Sequence, residues 1–242
     1  MKPPYYKVVE ELRERGRPVE TRFGPAREVL GGRVEFAAGE MVSRRGVNDA
    51  LGFMELMQIL AGVFDPEEIR RVAPRADHSL FTAQMAYGPR IAGQVPRLIE
   101  ALEKDPLTRQ AVLFIGHPDD GPTPDLPCTL TMQFVARDGT LDAVTSMRSW
   151  DATRGLTYDV VFQGGLVMAL ARCLGLLPGR VVCTAGSLHL YDSEAGKTPV
   201  ERDRRFVFDD VRVPRRWDDI QRWAKKEVVV MDRVPFGVWV VE

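Results

Sequence analysis

Residues 130–191 constrain the fold more than any other part of this chain. Apolar and polar residues alternate over 130–136 and again over 140–147, on either side of Arg137, Asp138 and Gly139. That pattern predicts two antiparallel strands joined by a tight turn. A mostly apolar run over 158–174 follows, with Gly164 and Gly165 inside it, and suits a helix buried at the centre of the molecule. A further strand is expected over 181–191. Strands and helices mixed without regular alternation point to an α+β fold rather than a doubly wound sheet.

The flanking segments add elements at lower resolution. Apolar and charged residues recur at helical spacing over 5–15, with Gly16 as a stop. Asn48 or Asp49 can cap an apolar helix over about 50–63, and an amphipathic helix over about 95–104 ends before Pro106. Residues 66–89 carry few periodic signals and read as loops and short turns bordering a site. Strands are expected over 111–115, 228–231 and 238–241, and a short helix over 217–226. No internal repeat, low-complexity tract or linker divides the sequence, so residues 1–242 are expected to form one domain, charged and irregular after Asp192.

Composition excludes several classes. A 45% hydrophobic and 28% charged chain of 242 residues suits a globular domain with a sizeable core. No apolar run is long enough to span a bilayer, and the opening MKPPYYKVVEELRERG lacks the apolar core of a signal peptide. The expectation is a soluble cytoplasmic protein with no membrane partner. A formal net charge of -1 gives no overall pull toward nucleic acid, and none is expected as a partner. The basic clusters Arg44-Arg45, Arg70-Arg71 and Arg202 with Arg204-Arg205 read as solvated faces. Three cysteines without paired short spacing argue against a disulfide framework and against a zinc site. Cys173 and Cys183 lie in apolar runs and read as core packing.

Cys128 is different. It follows Pro127 and precedes Arg148-Ser149-Trp150-Asp151, Gly155-Leu156-Thr157-Tyr158-Asp159 and His189-Leu190-Tyr191. A thiol, an arginine and an ordered series of polar groups form a plausible nucleophile with a nucleotide-binding frame.

These segments, with Gln133-Phe134, resemble the motifs of the thymidylate synthase family of folate-dependent pyrimidine C5 transferases, in family order and with close spacing. The resemblance covers roughly residues 5–192, and residues 193–242 diverge. It implies a large twisted mixed sheet flanked by helices, two subunits packed sheet to sheet, and 5,10-methylenetetrahydrofolate as cofactor. It makes Cys128 the nucleophile that adds to C6 of the pyrimidine and places Arg148 beside both the sulfur and the nucleotide phosphate. Glu55, in Met54-Glu55-Leu56-Met57, matches the family's catalytic glutamate, and Tyr87, in Tyr87-Gly88-Pro89, matches a tyrosine near the thiol. The phosphate is assigned to Arg22, Arg148, Ser149 and, across the dimer, Arg109. Arg27 competes with Arg22 for its role, and Gln110 stands where the family has a second arginine. His189 and Tyr191 match the clamp on the sugar 3′-hydroxyl; Asp151 and Gly155 match folate contacts.

Departures from the family decide the substrate. Asp159 replaces an asparagine whose amide suits N3–H and O4 of uracil, whereas a carboxyl group can accept from N4 of cytosine and share a proton with its N3. The same exchange marks the family's deoxycytidylate and cytidylate hydroxymethylases. Thr129, Met147 and Trp150 also depart from the family pattern, residues 78–85 hold no tryptophan, and the tail reads Phe236-Gly237-Val238-Trp239-Val240-Val241-Glu242. A folate site closed differently would admit water, which favours a hydroxymethyl over a methyl product. The expected activity is 5-hydroxymethylation of a cytidine monophosphate, with dCMP favoured over CMP. The alternatives are C5 methylation of dCMP or dUMP, and a catalytically silent nucleotide-binding relative.

Overall fold

A computed structural model describes residues 4–42, 47–121, 126–195, 204–231 and 234–241. Arg44, Arg45, Arg202 and Glu242, named above, lie outside the described residues.

Helix α1 (Pro4–Arg15) buries Tyr5, Val8, Val9 and Leu12 along one face and stops where the amide of Gly16 donates to the Leu12 carbonyl at 3.1 Å. Residues 17–41 then form β1 (Arg17–Thr21), β2 (Gly24–Ala37) and the short β3 (Glu40–Met41), none of which the sequence pattern predicts. The reason lies in β2 itself. Its charged and glycine-rich middle gives no clean alternation, and its state is decided by pairing with a distant strand.

Helix α2 (Asp49–Ala61) starts as expected at Asn48, whose side-chain oxygen accepts from the Ala50 amide, and ends at Gly62 in the left-handed conformation. That conformation, φ 71°, is one glycine adopts without steric cost. The expectation of loops over 66–89 is corrected by α3 (Pro66–Val72) and the short α4 (Tyr87–Ile91). Asp65 caps α3 by accepting from the amides of Glu67 and Glu68, Pro66 occupies the first turn, and Arg70 and Arg71 pair with Glu67 and Glu68. The start signals were all present, but the helix is too short to display a period. Helix α5 (Val95–Lys104) and β4 (Val112–Phe114) follow.

The predicted hairpin is β5 (Thr129–Arg137) and β6 (Thr140–Asp151), and the buried helix is α6 (Leu156–Leu174), leading to β7 (Leu177–Tyr191). These strands and β4 form a mixed sheet of six strands in the order β1-β2-β7-β6-β5-β4. Only β6 and β7 pair in parallel, which the α6 crossover between them permits. Met132, Phe134, Ala143, Met147, Val181 and Cys183 are buried beneath the helices, while Val144 on the opposite face is exposed. Helices α2 and α6 approach closely: a Cβ added to Gly165 would lie 2.5 Å from Leu56 Cδ2.

Beyond residue 203 come β8 (Arg204–Phe208), α7 (Trp217–Val230) and β9 (Val238–Val241). β8 lies between β3 and β9 in a second sheet of three strands. The strand expected at 228–231 is instead the end of α7. Ile220, Ala224 and Val228 are buried one helical turn apart, so helical burial overrides the preference of a valine run for strand. The tail is integrated rather than loose: Val238–Val241 pairs with β8, and the Trp239 indole donates to Asp209 Oδ2 at 3.0 Å. Among the described residues, no helix is long and apolar enough to cross a membrane.

Candidate active site

Four parts of the fold meet where the motifs lie: the start of β5, the end of β6, the first turn of α6, and the helices α2 and α4. Cys128 immediately precedes β5, partly buried, and the sheet register shifts just beyond it between Thr129 and Thr131. Its carbonyl accepts from the Arg148 amide on the neighbouring strand at 2.8 Å. The Arg148 side chain turns back over the same segment, with Nε donating to the carbonyls of Leu126 (3.2 Å) and Pro127 (3.1 Å) and Nη2 to Leu126 (2.7 Å). The guanidinium therefore orders the segment that leads into Cys128 as well as adding charge beside the sulfur.

That charge does not dominate the free protein. Burial pushes the Cys128 thiol above its usual range, Arg148 opposes this, and Asp159 and Asp151 reinforce it, with Arg22 a smaller opposing cation. Arg148 thus favours the thiolate, but desolvation outweighs it.

Tyr87 begins α4. Its hydroxyl accepts from the amide of Thr129, the residue after the nucleophile, at 3.3 Å, and its ring packs on Phe162 with centroids 5.1 Å apart. Burial, Asp159 and Cys128 together keep this phenol protonated.

Two carboxyl groups define the other wall. Glu55 sits on α2, whose other residues from Ala50 to Leu60 are buried, and touches the cleft only in part. Among the described residues no hydrogen bond or ion pair reaches its carboxyl group. Desolvation, then the charge of Asp159, pushes its pKa up to about 8. Asp159, in the first turn of α6, accepts a hydrogen bond on Oδ2 from the indole of Trp150 at 2.7 Å. Its pKa rises to about 7 through desolvation, with the Trp150 hydrogen bond opposing and Asp151 reinforcing. Both acids thus exchange protons near neutral pH, the range useful for proton transfer.

The remaining candidates form a second corner, in which Arg22 and Phe23 are exposed while His189 and Tyr191 are buried. His189 and Tyr191, neighbours on one face of β7, meet edge to face at 5.1 Å, and Phe23 packs on Tyr191 at 6.4 Å. Arg22, in the turn between β1 and β2, is exposed and stacks over Phe23 at 4.6 Å. Its charge acts on both Cys128 and Tyr191, so it borders both corners. Arg27 is directed toward the carbonyl of Arg13. Ser149 lies on β6 opposite Ser187.

Asp151 shows a turn-capping role: Oδ1 accepts from the Thr153 amide (2.7 Å), the Thr153 hydroxyl (2.8 Å) and the Arg154 amide (3.1 Å). Its Oδ2 has no hydrogen bond among the described residues, which fits the N–H donors of a folate pterin ring. Gly155 packs beside the acid pair, where a Cβ would come within 3.3 Å of Asp159 Oδ2. Arg109 is not brought into this cluster. It is exposed on the loop before β4, with its carbonyl accepting from Gln133 Nε2 at 2.7 Å.

Trp150, marked in the sequence only as a departure from the family pattern, proves to be the hydrogen-bond partner of Asp159, for which an aromatic N–H inside the Arg-Ser-x-Asp segment was a readable signal. Arg154, not singled out in the sequence, reaches the buried Glu194 at 3.4 Å and lies over the Tyr191 ring at 5.7 Å. Nothing short-range in the sequence links those residues.

A thiol at a strand start, braced by an arginine and faced by two proton-exchanging acids, is the arrangement of a covalent transferase. The chain matches the family described as Thymidylate synthase over residues 78–234, more than half its length and including all the motif segments from Cys128 to Tyr191. It belongs to the thymidylate synthase family, whose members modify C5 of pyrimidine nucleotides using methylenetetrahydrofolate. Glu55 and Arg22 lie outside the matched residues, so their roles rest on position in the fold.

Proposed function

We propose that this protein is a cytidylate 5-hydroxymethyltransferase, acting on a cytidine monophosphate with dCMP as the favoured substrate. The observation that carries this reading is the acid at position 159, partly buried near the thiol and poised between its neutral and charged forms. With its proton on the oxygen that faces N3, a neutral carboxyl group gives cytosine one donor for N3 and one acceptor for N4–H. The wrong base would leave buried polar groups unpaired, a penalty large enough to discriminate.

Cys128 adds as thiolate to C6, and the electron pair displaced onto C5 makes that carbon nucleophilic. A phosphate bound at Arg148 and Arg22 anchors the nucleotide, while His189 and Tyr191 hold its sugar hydroxyl and Ser149 contacts the phosphate. Bound methylenetetrahydrofolate would provide a one-carbon unit for C5 and would leave as tetrahydrofolate, with the C5 proton passing to water in the cleft. Asp151 and Gly155 would border its pterin. Water then adds to the exocyclic methylene on the pyrimidine, its proton passing to Glu55, and the C5–C6 double bond re-forms as the Cys128 thiolate leaves. Tyr87 steadies the segment that bears the thiol through the Thr129 amide.

The active form is proposed to be a homodimer packed through the open face of the six-stranded sheet, with Arg109 of a second copy completing the phosphate site. Support comes from the exposure of Val144 on that face and of Arg109 beside it. Three free cysteines suit a reducing, cytoplasmic setting.

Tritium release from C5-labelled dCMP, CMP and dUMP, with and without methylenetetrahydrofolate, tests the substrate, and product mass tests the group transferred. The expected result is folate-dependent release from a cytidylate with a hydroxymethylated product. Preference for dUMP, a methylated product, or silence with every nucleotide overturns the proposal.

A further inference from the structure

A carboxylic acid reads a pyrimidine edge ambiguously. With the proton on one oxygen it donates to N3 of cytosine and accepts from N4–H. With the proton on the other, it accepts from N3–H of uracil and donates to O4. An aspartate at position 159 therefore does not select a base by itself.

Trp150 removes the symmetry. Its Nε1–H donates to Oδ2 of Asp159 at 2.7 Å, and nothing comparable contacts Oδ1 among the described residues. We propose that Trp150 is the specificity-determining residue of this site: by occupying Oδ2 as a donor, it makes Oδ2 the carbonyl oxygen and leaves the proton on Oδ1. The carbonyl oxygen of an acid accepts better than its hydroxyl oxygen, so moving the proton to Oδ2 weakens the indole hydrogen bond. With Oδ1–H facing N3 and the second lone pair of Oδ2 facing N4–H, cytosine is matched twice. Uracil would meet donor against donor and acceptor against acceptor.

The surroundings keep this contact rigid. Trp150 is 1% exposed on β6, and Asp159 is fixed in the first turn of α6 by its amide bond to the Gly155 carbonyl at 2.9 Å. Gly155 fits against both partners: a Cβ there would lie 3.3 Å from Oδ2 and 3.5 Å from Trp150 Cδ1.

The proposal rests on Asp159 reading the base, but not on which base is preferred. Replacing Trp150 with 3-benzothienylalanine keeps the bicyclic shape and removes the N–H; Trp150→Phe is the encoded counterpart. Dissociation constants for dCMP and dUMP are measured between pH 5 and 9, with melting temperature as the check on folding. The dCMP/dUMP ratio is expected to move toward unity by roughly tenfold, the scale of one hydrogen bond. The acid's limb in the pH profile should also move upward, since the lost donor favours the charged form. Glu55 on α2, Tyr87 on α4, Cys128 before β5, Asp151 on β6 and Cys183 on β7 also interact with Asp159 and remain unchanged. In an Asp159→Asn background, which has no acid proton to move, the same replacement should shift no limb of the pH profile. A lower melting temperature with ratio and limb unchanged marks a purely structural tryptophan and overturns the proposal. A wild-type preference for dUMP overturns the cytidylate reading instead, while the collapse of the ratio still tests Trp150.

Discussion

The two corners of the cleft are built on opposite principles. Glu55 and Asp159 stand on helices α2 and α6, packed round by apolar side chains, and their proton affinities are raised chiefly by loss of water. Arg22, His189 and Tyr191 stand at a turn and a strand end, where rings stack on rings and on guanidinium groups and the arginine remains exposed. The acid corner is prepared by the core, since desolvation requires close packing. The cation corner sets an exposed arginine over buried rings, and under the proposed function a phosphate would bring the charge that orders it.

This contrast can be broken from either side. The largest effect is expected for Glu55→Gln, which keeps the shape of the acid and removes its proton transfer: turnover should fall by about 10² to 10³-fold with little change in nucleotide affinity, as measured by steady-state kinetics and binding. Next is Gly165→Ala, whose methyl would press on Leu56 beside Glu55. Overpacking at this helix contact should cost roughly 1–3 kcal/mol in denaturant unfolding, and should alter the pH profile more than nucleotide binding.

The two acids also make stability depend on pH. Their folded pKa values, about 8 and about 7, lie above the ordinary values of 4.5 and 3.8. Their contribution is complete below the unfolded values and is lost as pH rises to the folded ones. Melting temperature should therefore decline between about pH 4 and 8, and Asp159→Asn should flatten part of that decline by a few degrees. A parallel decline in wild type and variant would show that the acid corner is not desolvated. The smallest effect is expected for Arg22→Ala: nucleotide affinity should weaken roughly fivefold at low salt and less at high salt, with stability unchanged.

Legibility in the sequence followed the range of the forces involved. The β5–β6 hairpin, α6 and β7 could be read because each carries its own period, and the Asn48 cap because capping is local. Pairing of β2 with β7 could not, because the charged and glycine-rich segment takes its conformation from a partner about 160 residues away, as in the Glu28 to His189 register. The valines at 228–231 misled for a related reason, their strand preference yielding to burial along α7.

The same division runs through the candidate site. The sequence by itself determined the family, the order of thiol, arginine and acids along the chain, and the exchange of amide for acid at position 159, because these are facts of covalent order. Only the tertiary structure decided that burial outweighs Arg148 at the thiol, that Asp159 adds to the proton affinity of Glu55, and that an indole from a neighbouring strand occupies one oxygen of the acid. Desolvation and hydrogen-bond direction depend on what surrounds a group in space, and a linear pattern carries neither.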